Sequence, residues 1–171
     1  MSTHIKTQEV IDAAVALLSA AGLAFGPKLI QDGELGWYVE NDALSLDLPA
    51  LLVTCGGLEL DVTGEDGLSV MGGQEVAVHH VLRVLVVFQW TDTEDLNRVK
   101  RSIAQEVVEV FIGSAGSAFG LGAAIAGIEA FQVFPTGVEF DPPEDTLVSK
   151  DRTRQVAAVA ITAAAQYRAV R

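Results

Sequence analysis

The sequence predicts an α+β fold: one domain spanning residues 1–171, built on a mostly antiparallel sheet with flanking helices. Three observations carry this. Glu75 to Trp90, "EVAVHHVLRVLVVFQW", alternates as a long strand does, with Val76, Val78, His80, Leu82, Val84, Val86, Phe88 and Trp90 on one face. A helical pattern, "TDTEDLNRVKRSIAQEVVEVF", follows at once. Further short strand patterns lie on either side, an order that suits helices packed on an antiparallel sheet.

The first element is a helix from Thr7. Val10, Ile11, Ala14, Leu17, Leu18 and Ala21 share a face, with Thr7 as expected N-cap, Glu9 in the first turn and Gly22 as the stop. "GWYVE" (36–40) and "LPALLVTCGGLELDV" (48–62) read as short strands separated by turns. Pro49 stands at a strand start or a sheet edge, and "TGEDG" (63–67) is a turn. In the long strand the second face, with Ala77, His79, Val81, Arg83, Leu85, Val87 and Gln89, is mixed, so it is expected to meet a partner. The helix from Thr91 to Phe111 is expected to start with a capping box, Thr91 with Glu94, and to bury Leu96, Val99, Ile103, Val107 and Val110; Glu94 and Arg98 stand in the favourable order for a surface pair. "IEAFQVF" (128–134), a Pro/Gly turn, "GVEF" (137–140) and an acidic loop, "DPPED", follow. The last segment, 152–171, fits both a strand and a helix. Its β-branched run favours a strand from Arg154 to about Ala164, with a frayed or helical end.

Half the residues are hydrophobic and the formal net charge is -12. Nucleic-acid and anionic-lipid binders gain affinity by neutralising phosphates, so this charge argues against both. Cys55 is the single cysteine, so no intrachain disulfide forms; in "LLVTCGG" it reads as a small buried hydrophobe. "AAVALLSAAGLAF" (13–25) has the length of a signal peptide core but follows Glu9 and Asp12, which points to a cytoplasmic protein.

Residues 111–128, "FIGSAGSAFGLGAAIAGI", hold no charge and five glycines. The stretch reaches the lower edge of spanning length but is poor in large apolar side chains and lacks Lys or Arg anchors, so it is not expected to enter a membrane. A phosphate loop would need a lysine after its last glycine, and none lies between Arg101 and Lys150. A small-residue loop suited to close subunit contact is the remaining reading. Phe119 and Leu121 would fill pockets on a neighbour, with Arg98, Arg101 and Arg154 as pairing groups on an otherwise acidic surface.

No constellation points to catalysis, and no metal or cofactor is expected. His79 and His80 diverge on a strand, which leaves His80 as a core or interface histidine. "DVTGEDG" (61–67) departs from a calcium loop, no Gly-x-Ser-x-Gly elbow is present, and Cys55 shows no recognisable His partner. Paired carboxylates are too numerous to single out an acid and a base. A small-ligand-binding α+β domain or an uncharacterised enzyme is the alternative from a different class.

The N-terminal helix, "LPALLVTCGG", the strand "HHVLRVLVVFQW" running directly into "TDTEDLNRVKRSIAQEVVEVF", and the Arg-flanked final segment together resemble the tail terminator proteins of long-tailed bacteriophages. The resemblance covers most of the chain as an order of elements. It implies a homo-oligomer, a six-fold ring, that caps the tail tube, stops its growth and joins it to the neck. The implied partners are the tail tube protein and a neck or connector protein. The implied locations are the virion tail and, during assembly, the host cytoplasm. An acidic lumen would let DNA pass without binding it. Another head–tail connector or tube-like subunit shares these features.

Overall fold

A computed structural model describes residues 6–36, 46–61, 75–114, 128–149 and 155–170. Its elements follow in the order α1 (Thr7–Ala20), β1 (Leu29–Asp32), β2 (Ala50–Asp61), β3 (Glu75–Gln89), α2 (Leu96–Ser114), β4 (Ile128–Glu139), α3 (Pro143–Val148) and β5 (Val156–Val170). The five strands form one open sheet in the order β1-β2-β3-β5-β4. All its pairings are antiparallel except that of β1 with β2. The α+β class expected from the sequence is what the chain adopts.

The alternation of β3 sets the layers. Val78, His80, Leu82, Val84, Val86 and Phe88 turn to one face and are buried under both long helices. From α1 come Val10, Ile11, Ala14 and Leu18, and from α2 come Ile103, Ala104, Val107 and Phe111. Each such side chain contributes about 1.5–3 kcal/mol by leaving water. The opposite face has a second, smaller core of Leu35, Leu46, Leu48, Leu52, Leu85, Val87, Val148 and Val156. This second layer reaches only part of the sheet. Around Ala50, Val87 and Val156 the sheet is covered on both faces; we call this its closed end. Around Val78, His80 and Tyr167 the described residues cover it on the helix face alone; this is the open end.

Several expected boundaries move. Thr7 is the first residue of α1, not its cap; Lys6 occupies the cap position without a side-chain bond, and its own N–H donates to the Tyr167 hydroxyl at 3.0 Å. Gly22 does end the helix, at φ 63°. β1 was not expected: four residues run parallel to Ala50–Val53. Of "GWYVE" only Gly36 is described, and the 63–67 turn lies outside the described residues. The strands expected within 48–62 are one strand, whose glycine pair is absorbed by a register shift between Cys55 and Gly57.

α2 starts at Leu96, five residues after the expected cap. Asp95 does the capping, its Oδ1 accepting from the N–H groups of Asn97 at 3.1 Å and Arg98 at 3.4 Å. Only half of the expected box exists: Glu94 accepts from the Thr91 N–H at 2.8 Å, closing a turn ahead of the helix. The Pro/Gly turn at 135–137 is absent. β4 runs through it, as an edge strand can, because the ladder does not need the missing proline N–H there. "DPPED" is not a loop: proline at the start and Glu144 and Asp145 in the first turn begin α3. The last segment is a strand to Val170, with no helical end, because pairing with both β3 and β4 outweighs the helical preference of its alanines.

Candidate interaction face and its polar supports

At the open end, cross-strand neighbours form polar rows on the face away from the helices. Glu59 lies opposite His79, His79 opposite Gln166, and Gln166 opposite Gln132. The Gln166 amide nitrogen lies 3.3 Å from the Nδ1 of His79. Nearer the middle, Val81 sits between Gly57 and Ala164 and remains 36% exposed. A shallow groove of about 350 Å³ opens beside Ala77, His79, Gln132, Gln166 and Arg168.

The flank of this end is a strand edge. β1 pairs only with Ala50–Val53, so Thr54–Asp61 has no outer partner among the described residues. Leu58 and Leu60 on that run are 42% and 46% exposed. Ile112 is exposed at the end of α2 that points toward the open end, since Lys100 near its start is anchored beside Phe140 at the closed end. A long, partly apolar, unpaired edge is a surface that pairs readily with another chain.

Behind the face, inside the helix-side core, lies a polar relay. His80 is fully buried. Its Nε2 is 2.8 Å from the Tyr167 hydroxyl, which accepts from the Lys6 N–H, and its Nδ1 is 3.8 Å from the Cys55 sulfur. The thiol donates to the Gly57 carbonyl across the bulge at 3.2 Å. Burial, and then the neighbouring His79, hold the His80 ring below its ordinary value. Burial pushes the Tyr167 hydroxyl up. Cys55 therefore does have a histidine beside it, which the sequence did not reveal because the bulge sets the register. The pair is poorly arranged for nucleophilic catalysis. The ring is a weakened base, its contact with the sulfur is long, and the thiol proton is directed to the Gly57 carbonyl instead.

Two ionic clusters brace the closed end. The Lys100 ammonium, 3% exposed, meets the Phe140 carbonyl at 2.8 Å, Asp141 at 3.1 Å and Asp145 at 3.2 Å, which uses its three hydrogens. Asp145 also accepts from the Ala158 N–H at 2.7 Å, standing in for a strand partner beyond the end of β4. Arg83 grips Glu144 with two parallel bonds of 2.7 and 2.8 Å and approaches Glu139 at 3.5 Å. That hydrogen bond holds the Glu144 carboxyl below its ordinary value. A cavity of about 340 Å³ borders this pair beside Glu34, Leu52, Thr54 and Leu147. Its cation is already matched by two carboxylates, so the described lining offers no free positive charge with which to recruit an anion.

The residues expected to form contacts divide. Arg98 and Arg101 both lie exposed on α2, where the Arg101 Nε donates to the Asn97 carbonyl at 3.2 Å. Phe119, Leu121 and Arg154 lie outside the described residues. The first part of the glycine-rich stretch is not loop: α2 continues to Ser114, and Phe111 is wholly buried. The mixed face of β3 is indeed divided, with Leu85 and Val87 under the second layer and Val81 bare. His79 and His80 point to opposite faces, and no described group of three or more His, Cys, Asp or Glu side chains is placed to hold a metal ion. No described helix is long and apolar enough to cross a membrane. No protein-family model and no curated protein matches the chain.

Proposed function

We propose that this chain is a structural subunit that assembles with copies of itself, and that the assembly is the ring of a phage tail terminator. The observation that carries the reading is the open end: a run of β2 without an outer partner among the described residues, with Leu58 and Leu60 exposed on its helix side, and Val81 36% exposed on the other face of the sheet. The strong acidity supports a lumen through which DNA passes unbound. Tail tube and neck proteins are the partners this role entails. The exposed Arg98 and Arg101 supply positive charge for pairing with an acidic neighbour.

Like charge opposes closure, so the contact is chiefly apolar and salt promotes it by screening. Mass in solution tests the assembly. The expected result is a concentration-dependent oligomer, favoured by raising salt from tens of millimolar to about 0.5 M, that is lost in the double variant Leu58→Asp, Leu60→Asp. Binding to isolated tube ends tests the terminator role. A chain that oligomerises but ignores tube ends is a different ring or connector. A strict monomer whose melting temperature rises with a small ligand is a binding domain instead.

A further inference from the structure

We propose that the His80–Tyr167 contact is a proton-operated latch on α1: one proton taken up at His80 favours a state in which residues 6–20 have left the sheet. The geometry assigns the latch to this helix. α1 begins at the open end without a side-chain cap, and its entry is tied to the sheet by the bond from the Lys6 N–H to the Tyr167 hydroxyl. The same hydroxyl is the neighbour of His80 Nε2 at 2.8 Å. Helix attachment and ring hydrogen bonding therefore meet at one oxygen.

In the neutral ring one nitrogen donates and the other accepts, so the relay is satisfied without charge. After protonation both nitrogens donate. What faces them is a phenol oxygen already bonded to Lys6 and a thiol sulfur, a weak acceptor. The other groups around the relay offer little compensation. β3 brings His79, of the same sign, and α2 and β4 bring the apolar Val107, Phe111 and Val133. Among the described residues, the carboxylate acting on the relay is Glu9 of α1, which is felt at Tyr167. A fully buried cation without a counter-ion is unfavourable, whereas water solvates it once the helix lifts away. α2 does not share this sensitivity, because its anchor is the ionic cluster at Lys100.

The direction follows from linkage. The folded ring binds its proton more weakly than the ordinary value of 6.5, so the closed state is fully favoured above that pH. It loses ground as pH falls from 6.5 toward the lower folded value. A single proton changes the opening equilibrium by at most tenfold per pH unit. The latch is independent of ring assembly, and its failure would leave that reading untouched.

The test is amide hydrogen exchange of the full chain between pH 7.5 and 5.0, corrected for intrinsic exchange rates. Peptides covering 7–20 should open up to tenfold more per unit below pH 6.5, while those covering 96–111 keep their protection. His80→Gln should flatten the response, and His79→Gln should keep it over a somewhat narrower pH range, because the His80 ring loses a like-charged neighbour. Tyr167→Phe keeps the titrating ring but removes the tie, so α1 should open more at every pH with the slope retained. This variant, with His79→Gln, still decides the matter if His80→Gln does not fold. Protection of α1 that ignores pH, simultaneous loss in α1 and α2, or a response that follows His79 would each overturn the latch.

Discussion

The two ends of the sheet are built on different principles. The closed end is covered on both faces, packed with Leu52, Leu85, Val87 and Val156, and bolted by buried or half-buried ion pairs at Lys100 and Arg83. The open end, among the described residues, is covered on one face, exposes Leu58 and Leu60 at the β2 edge of that face and Val81 in part on the other, and uses a neutral relay where the other end uses charge. Ionic bracing is concentrated at one end, where Phe140 and Leu147 are also exposed, and the exposed strand edge and the neutral relay lie at the other. A domain arranged this way can offer its open end to a neighbour while the closed end keeps the fold.

Substitutions at the two ends should separate these roles. The largest effect is expected from Phe88→Ala, which empties a large buried site at the closed end and should cost about 3–5 kcal/mol in denaturant unfolding. Lys100→Met should cost about 2–3 kcal/mol. That is less than the 3–5 kcal/mol typical of a broken buried pair, because Asp141 is 87% exposed and can regain water. Glu144→Gln removes the fork on Arg83 and should cost about 1 kcal/mol at neutral pH. The loss should vanish in acid: the depressed Glu144 contributes fully above its ordinary value of 4.5 and ceases to contribute as pH falls through its folded value. An unfolding series from pH 7 to 3 for both proteins measures this. The open end, by contrast, should begin to respond two pH units earlier, below 6.5. Val81→Ser should be the mildest, costing about 0.5–1 kcal/mol, since the side chain is already 36% exposed. If it destabilises the isolated chain by several kcal/mol, the face is not bare and the contrast between the ends fails.

The fold was legible where one periodicity dominated. β3 alternates across two faces that both have a use, so its length and position could be read directly. β5 could not, since Ala157, Ala158, Ala160 and Ala163 to Ala165 favour a helix in isolation. They serve a strand because β5 lies inside the sheet, where small side chains let layers approach on either face. The start of α2 was misread because Thr91 and Asp95 are both competent caps, and only the tertiary setting chooses between them. Lys100 was missed as a support although it stands on the buried stripe with Ile103, Ala104 and Val107; a cation at such a position signals an acidic partner elsewhere, here Asp141 and Asp145. The relay was beyond reach because it joins residues from four elements through a bulged register. Of the expected contact groups, Arg98 and Arg101 were legible as exposed helix positions.

Pro135 has a consequence for symmetry. It lies within β4 without an N–H to offer, and the pairing of β4 with β5 slips at two places, so that edge of the sheet is a poor template for another strand. The free run of β2 carries no such block. Among the described residues, strand addition is therefore available on one edge only. Two copies joined backbone to backbone would have to use the same edge, about a two-fold axis, with Glu59 repeated on both sides. Such a contact is self-complementary and closes at two. A ring must instead join unlike surfaces, head to tail. In a ring, then, the β2 edge of one copy meets side chains of the next, and the exposed Arg98 and Arg101 on α2 have the sign to receive Glu59.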